Sequence, residues 1–292
     1  MALDAWWGPV LGGVLGLLFG SFLNVVIYRL PKMMERQWAA ERAALAWDTP
    51  NHGEAPPAAA QEVFNLMTPR SRCPSCGHAV RWYENVPILS YLFLRGRCSA
   101  CKTRISIRYP LVEAVTGAVF FFCLQRWGIS AAGVAWCGFC AALIALTCID
   151  WDTTLLPDDI TLPLLWAGLL ASAMQWIAVP LYASVVGAAA GYLSLWLVYW
   201  GFKCATGKEG MGYGDFKLFA ALGAWFGWQA LVPIILLSSV IGAVIGIVLK
   251  LLSALREGGY IPFGPFLAGA GFTALVFGPQ AILDAVLQFV GL

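Results

Sequence analysis

Long apolar runs recur from one end of this chain to the other, and they restrict its fold more than any other feature. Windows of the length that spans a bilayer, about 17–25 residues, occur near 8–28, 110–126, 131–149, 160–178, 181–202, 229–250 and 262–278. A shorter one opens at Phe216 and runs to about Trp228, and the terminal piece 281–291 reads as an extension of the last helix. The expected fold is an all-α polytopic membrane protein with about eight transmembrane helices. Composition agrees: 60% of residues are hydrophobic and 12% charged, against about 25% charged in a soluble domain, and mean hydropathy is +0.74. The first window reads as a retained anchor rather than a cleaved signal peptide. Asp4 precedes it with no Lys or Arg, no clear small-residue cleavage site follows, and "YRLPK" comes next.

The basic residues set the orientation. Twelve of the 18 Lys and Arg lie between Arg29 and Arg108. Eight crossings put that loop on the same side as 150–159, 203–216 and 251–261, so Lys203, Lys208, Lys217, Lys250 and Arg256 join it and only Arg126 falls opposite. The loop is therefore expected to face the cytoplasm, with both termini outside.

Within the loop stand "CPSCGHAV" and "CSACKTR", two C-x2-C pairs formed by Cys73, Cys76, Cys98 and Cys101, with 21 residues between the pairs. Each such turn aims two thiolates at one point, and two turns complete a tetrahedral S4 site. A structural Zn2+ is the main expectation; redox dithiols or unligated thiols are the alternative, and His78 is a possible substitute ligand. Four thiolates leave no open coordination position, so the metal reads as structural. Residues 70–108 are too few and too polar to build much of a core, and metal binding would supply the missing folding free energy. Residues 32–47 read as a helix, either on the membrane surface or as a solvated linker, and "TPNHGEAPPAAAQE" at 49–62 reads as flexible. Cys123, Cys137, Cys140, Cys148 and Cys204 lie in or beside apolar segments and read as packing residues.

"CIDWDTTLLPDDITLP" at 148–163 carries Asp150, Asp152, Asp158 and Asp159. Asp158 or Asp159, after Pro157, is an N-cap candidate. Asp152 reads as a solvated loop charge. Asp150 follows "AALIALTCI" directly, so it still belongs to the helix, where an acid is costly and a functional candidate; an interfacial carboxylate reaching water is the plainer reading. A second acid, Asp215, follows the glycines of "GMGYGDFK" and opens the sixth helix. Capping needs no such run of glycines, which permit a non-helical turn and close backbone approach. Two carboxylates at one membrane face suggest a pair sharing a proton, the basis of an aspartyl protease, although nothing in the spacing shows that they meet. "GYIPFGPFLAGAG" at 259–271 is either an ordinary helix entry or irregular backbone lining a groove.

In order, "GSFLNVVIYRLPKMMERQW", the two C-x2-C pairs, "YENVPILSYL", "RYPLVE", "IDWDTTLLPDDITLPLLWAGLL", "GYLSLW", "GKEGMGYGDFKLFAALGAW" and "IPFGPFLA" resemble the bacterial type IV prepilin peptidases nearly end to end. The resemblance implies a GxGD-type membrane aspartic protease of the inner membrane, with Asp150 and Asp215 catalytic and Asp152 and Asp158 supporting. It implies prepilin and pseudopilin substrates of type IV pili and type II secretion, cut after a short basic leader on the cytoplasmic side. It further implies N-methylation of the new N-terminal residue from S-adenosylmethionine, a role that the family gives mainly to the N-terminal part. The expected organisation is a first transmembrane helix at 1–30, a cytoplasmic four-cysteine zinc loop at 31–108 and a peptidase domain at 109–292. No glycine-rich nucleotide loop points to methyl-donor ligands, and no nucleic-acid partner is expected. The competing readings are an ion-coupled transporter using Asp150 and Asp215, and a non-catalytic assembly factor whose cysteine loop binds partners.

Overall fold

The computed structural model describes residues 6–47, 63–252 and 261–290. The expected flexible stretch 49–62, Arg256 and the start of the 259–271 element lie outside the described residues. Among them the fold is all helical, with two isolated β-bridges and no strands. Two compact units divide the chain: Val10–Phe121, and Phe122–Leu292 together with Met1–Pro9.

The Val10–Phe121 unit is built on α1 (Trp7–Trp47) and α3 (Arg108–Trp127), with the short α2 (Leu89–Phe93) between them. The helix expected to end near residue 28 runs on for 41 residues through Pro31. A proline loses its own N–H bond and crowds the carbonyl four residues back, which can bend a helix without ending it, and the polar stretch after it is itself helix-forming. Small residues let the two long helices approach closely: a Cβ on Gly16 would stand 2.7 Å from the Thr116 carbonyl, and one on Gly20 would stand 2.6 Å from Glu113 Cα. Buried polar side chains then tie the intervening loop to α1 and the two long helices to each other. Arg29, 7% exposed, donates to the carbonyls of Asn65 (2.8 Å) and Pro69 (2.5 Å), and Asn24 Nδ2 donates to the Tyr109 carbonyl (3.1 Å).

The other unit contains α4 (Ala131–Thr153), α5 (Asp158–Ala173), α6 (Leu181–Thr206), α7 (Tyr213–Phe226), α8 (Leu231–Leu251), α9 (Gly264–Phe277) and α10 (Pro279–Val290). Its centre is α7, buried almost continuously from Asp215 to Trp225. Gly187 of α6 and Gly223 of α7 leave each other no room for a Cβ, and the Ser184 hydroxyl donates to the Ala224 carbonyl (2.6 Å). Trp225 stacks among Trp136 and Phe139, each 4.9 Å away between ring centroids, and its indole N–H donates to the Leu164 carbonyl (2.9 Å).

Among the described residues, four helices are long and apolar enough to cross a membrane: Trp7–Leu45, Ala131–Thr153, Leu181–Thr206 and Trp228–Leu251. A fifth span results if α9 and α10 count as one. Helices α5, α7, α9 and α10 are individually too short: at 1.5 Å per residue, the 14 residues of α7 reach only about 21 Å, whereas α3 has the length, at 20 residues, and falls outside on composition. The terminal piece does not extend the last helix as expected. The chain bends by 110° between α9 and α10, because Gly278 adopts φ +86° and Pro279 cannot continue the hydrogen-bond ladder.

Candidate active site and metal centre

Asp150 occupies the last turn of α4, where Thr154, in the left-handed conformation (φ 57°), ends the helix by donating its N–H to the Asp150 carbonyl (2.8 Å). Asp215 is the third residue of α7, whose N-cap is Gly212. Both carboxylates are buried, each 4% exposed, and they interact electrostatically. The Asp215 Oδ1 atom is buried and makes no hydrogen bond among the described residues. Such an atom is costly unless something polar completes the site.

Two glycines make this juxtaposition possible. A Cβ on Gly264, at the start of α9, would stand 2.5 Å from Asp150 Oδ2, and one on Gly214 would stand 2.6 Å from Leu156 Cβ. Leu156, in the loop after α4, lies between them, 3.2 Å from the Gly264 position through Cδ1. Ends of three helices thus converge on the two acids. Around the glycine-rich turn, Lys203 Nζ donates to Glu209 Oε1 (2.9 Å) and to the Tyr199 hydroxyl (3.2 Å). The Tyr199 ring, 2% exposed, packs on Tyr213 and Phe216 on either side of Asp215.

The other acids of this stretch hold different positions. The N-cap of α5 is Pro157, so Asp158 and Asp159 are in the first turn and neither caps the helix. Asp158 instead receives Lys217 Nζ on both oxygens (2.6 and 2.7 Å), bracing the starts of α5 and α7. Asp152 and Asp159 are exposed. Sequence reasoning used Lys217 only for orientation and took Gly264 only as part of a helix entry or groove-lining stretch. The placement of Lys217 two residues after Asp215 was a usable signal. Nothing in the sequence marks Gly264 as the neighbour of a residue over a hundred positions away.

The four cysteines come together: the sulfurs of Cys73, Cys76, Cys98 and Cys101 all lie within 4.8 Å of one another, Cys73 and Cys101 at 3.7 Å. A tetrahedral S4 site with bonds of about 2.3 Å has edges of roughly 3.8 Å, whereas a disulfide needs about 2.05 Å. The donor set therefore fits a structural metal. The two turns repeat one geometry. Cys73 N–H donates to the His78 carbonyl and Cys98 N–H to the Thr103 carbonyl, both at 2.9 Å, and bridges Arg72–Ala79 and Arg97–Arg104 close the hairpins. Gly77 at φ 70° and Lys102 at φ 61° hold the same left-handed position. His78 lies 3.2 Å from Glu84 Oε2 and is not part of the four-sulfur cluster. Glu84 is held down to about 2, first by the Arg81 backbone N–H, then by Ser99 and His78.

A family model described as Bacterial Peptidase A24 N-terminal domain matches residues 14–127, and one described as Type IV leader peptidase family matches 137–247. The first range contains the four cysteines and the second both buried aspartates. A Pseudomonas putida protein named prepilin leader peptidase/N-methyltransferase is 49% identical over 292 residues, 100% of this chain and 98% of the relative. A Pseudomonas aeruginosa protein of the same name is 50% identical over 279 residues (95% and 93%), and one from Burkholderia pseudomallei is 52% identical over 265 residues (91% and 84%). No solved structure matches the chain.

Proposed function

The chain belongs to the type IV leader peptidase family, and on that premise we propose that it removes the basic leader from prepilins and pseudopilins and N-methylates the residue exposed by the cut. The observation that supports the peptidase half is that Asp150 and Asp215 are both buried and near enough to act on one another electrostatically, at the ends of α4 and α7 beside the start of α9. A carboxylate pair holding one proton can act in both directions. The ionised member takes a proton from water, whose oxygen attacks the scissile carbonyl carbon, while the protonated member donates to the carbonyl oxygen. Collapse of the tetrahedral adduct breaks the C–N bond, and the departing nitrogen takes up a proton. The amine that accepts the methyl group does not exist before this cut, so methylation follows cleavage.

The remaining parts of the reading share this premise. Cys73, Cys76, Cys98 and Cys101 hold Zn2+, which fastens the loop and takes no part in the reaction. The methyl group comes from S-adenosylmethionine. The Lys and Arg distribution favours an inner-membrane protein whose cysteine loop and aspartates face the cytoplasm, where a basic leader would remain. Eight crossings follow if α3, α5 and α7 also lie across the bilayer, sheltered by neighbouring helices.

The test is prepilin processing by Asp150→Asn and Asp215→Asn proteins made singly. Each is expected to lose leader removal by about 10³-fold while remaining folded, and full processing by either sinks the assignment. Methylation of pre-cut pilin by the Asp215→Asn protein is expected to persist.

A further inference from the structure

The motifs "YENVPILSYL" and "RYPLVE" have no part in the peptidase chemistry, yet each supplies one end of a contact that sets how deep the cysteine loop sits. Ile88, in the first motif, is the N-cap of α2 and has φ 58°, a conformation rarely adopted by a β-branched residue. Its N–H donates to Oε2 of Glu113, in the second motif (2.8 Å), and Glu113 is only 8% exposed. Glu113 in turn faces α1: its Cα stands 2.6 Å from the Cβ position of Gly20. Gly20 comes eight residues before Tyr28, where the first apolar window ends, a rise of about 12 Å. One glutamate side chain and one hydrogen bond are too short to span that distance. With α1 across the bilayer as proposed above, the start of α2 is held below the level of Tyr28, at the depth of the cytoplasmic interface.

At that depth α2 presents an apolar face. Leu89, Leu92 and Phe93 fall on one side of it by their i, i+3, i+4 spacing, and all three are exposed, Phe93 at 85%. A small polar loop has little apolar area to spare, and adjoining exposed apolar side chains mark a surface that meets a partner. Charge identifies the partner. Residues 63–108 hold eight Lys and Arg and one acid, Glu84, so the stretch stays positive even after the two negative charges of a zinc tetrathiolate. Arg95 and Arg97, directly after α2, are both exposed. Trp82, in the turn before α2, is exposed as well, and its indole is of the type that settles at headgroup level.

We propose that α2 is an interfacial anchor: its apolar face lies among the upper acyl chains of the cytoplasmic leaflet, and the arginines that follow it hold anionic phospholipid headgroups. An apolar face flanked by basic side chains is the pattern of helices that lie in the bilayer interface. Arginine stems can run along the apolar surface while the guanidinium stays in water, where each positive charge adds attraction for anionic lipid. The length of α2 fixes the depth from the other side. Its five residues leave most of their terminal backbone groups to outside partners, which the wet headgroup region supplies and the hydrocarbon core does not. The metal would then give the loop its shape, and α2 would give it its position against the membrane. The inference rests on the membrane placement proposed above and on neither reaction.

Photolabelling of the full-length protein from the lipid tests this directly. The protein is placed in vesicles of equal parts phosphatidylcholine and phosphatidylglycerol, with a diazirine carried high on the acyl chain of one lipid or the other. Trypsin cuts after Arg81 and Arg95, and label is expected in the intervening peptide, Trp82–Arg95, more from phosphatidylglycerol than from phosphatidylcholine. A peptide without label overturns the proposal and assigns the face to a protein partner, such as a second copy of this chain. Equal labelling from the two lipids overturns the choice of anionic lipid. Phe93→Ser, at an exposed position whose loss opens no core, is expected to lower labelling about tenfold, the scale of one buried aromatic side chain; undiminished labelling overturns the proposal. Arg95→Gln combined with Arg97→Gln is expected to abolish the preference for phosphatidylglycerol in the tryptic peptide that contains α2, at about fivefold for each charge removed; a preference that survives overturns the role of the arginines. Wild-type resistance of the loop to proteolysis shows that each variant is folded. None of these readouts depends on leader removal or on methyl transfer.

Discussion

The aspartate pair and the cysteine cluster are positioned by opposite means. Around Asp150 and Asp215 the chain relies on exclusion: α7 is buried on nearly every side, and glycines at 214 and 264 remove the side chains that would keep the helix ends apart. Around the cysteines there is little to exclude. Cys76 and Cys101 are exposed, and the turns are held by backbone hydrogen bonds, two bridges and a few anchoring side chains such as Arg29 and Glu113. A small polar loop lacks the apolar area to order itself, so its geometry must come from a ligand. A helix cluster needs no ligand, but it tolerates almost no added volume. The two regions should therefore fail differently.

The largest expected effect is at the cysteines. Cys73→Ser, or treatment with a strong chelator, removes a contribution of about 10 kcal/mol or more. Limited proteolysis should then cut rapidly within residues 63–105, while the fragment containing α4–α10 keeps its protection. Unchanged sensitivity of the loop would end the claim that the metal folds it. An intermediate effect is expected from Gly264→Ala. The added methyl must displace the Asp150 carboxylate, at a cost of about 1–3 kcal/mol, and a misplacement of about 1 Å is enough to lower leader removal about 10²-fold. Thermal unfolding and a processing assay together measure both; wild-type rates in a stable variant would show that Asp150 has freedom to move. The smallest effect belongs to Lys217→Met. Its partner Asp158 has a half-exposed side chain, at 52%, and such pairs contribute about 1 kcal/mol or less. A shift of a few degrees in melting temperature is expected, and a collapse of processing would mean that the brace between α5 and α7 sets the aspartate geometry.

How much of this could be read from residues alone follows the same division. The cysteine cluster was legible because its turns are local: a C-x2-C pair names its own geometry, and two pairs in one loop have few other ways to meet. Asp150 was legible as an anomaly, an acid directly after an apolar run, and Asp215 as an acid after too many glycines. Their interaction was not legible, because periodicity carries no information about which helix ends meet. Hydropathy also misplaced two boundaries. It ended α1 at the last apolar residue although the polar continuation stays helical to Trp47, and it joined α9 to α10 because a single glycine at φ +86° hardly changes a windowed average. Length and hydropathy of the described helices support four or five of the eight expected crossings, for a related reason. Burial within the protein makes α7 apolar, and a sequence window cannot separate that from burial in lipid.

The shortness of α7 has a consequence for supply. Its 14 residues extend about 21 Å, and the hydrocarbon layer is about 30 Å thick. Set across the bilayer, as the proposed eight crossings require, α7 would stop short of one face. The turn that feeds it, Gly207–Gly212, is polar and largely exposed, so this turn brings solvent with it to the residue that opens the helix. Peptide hydrolysis consumes one water molecule for every bond cut. In that placement, a helix too short for the bilayer would deliver the reactant by geometry.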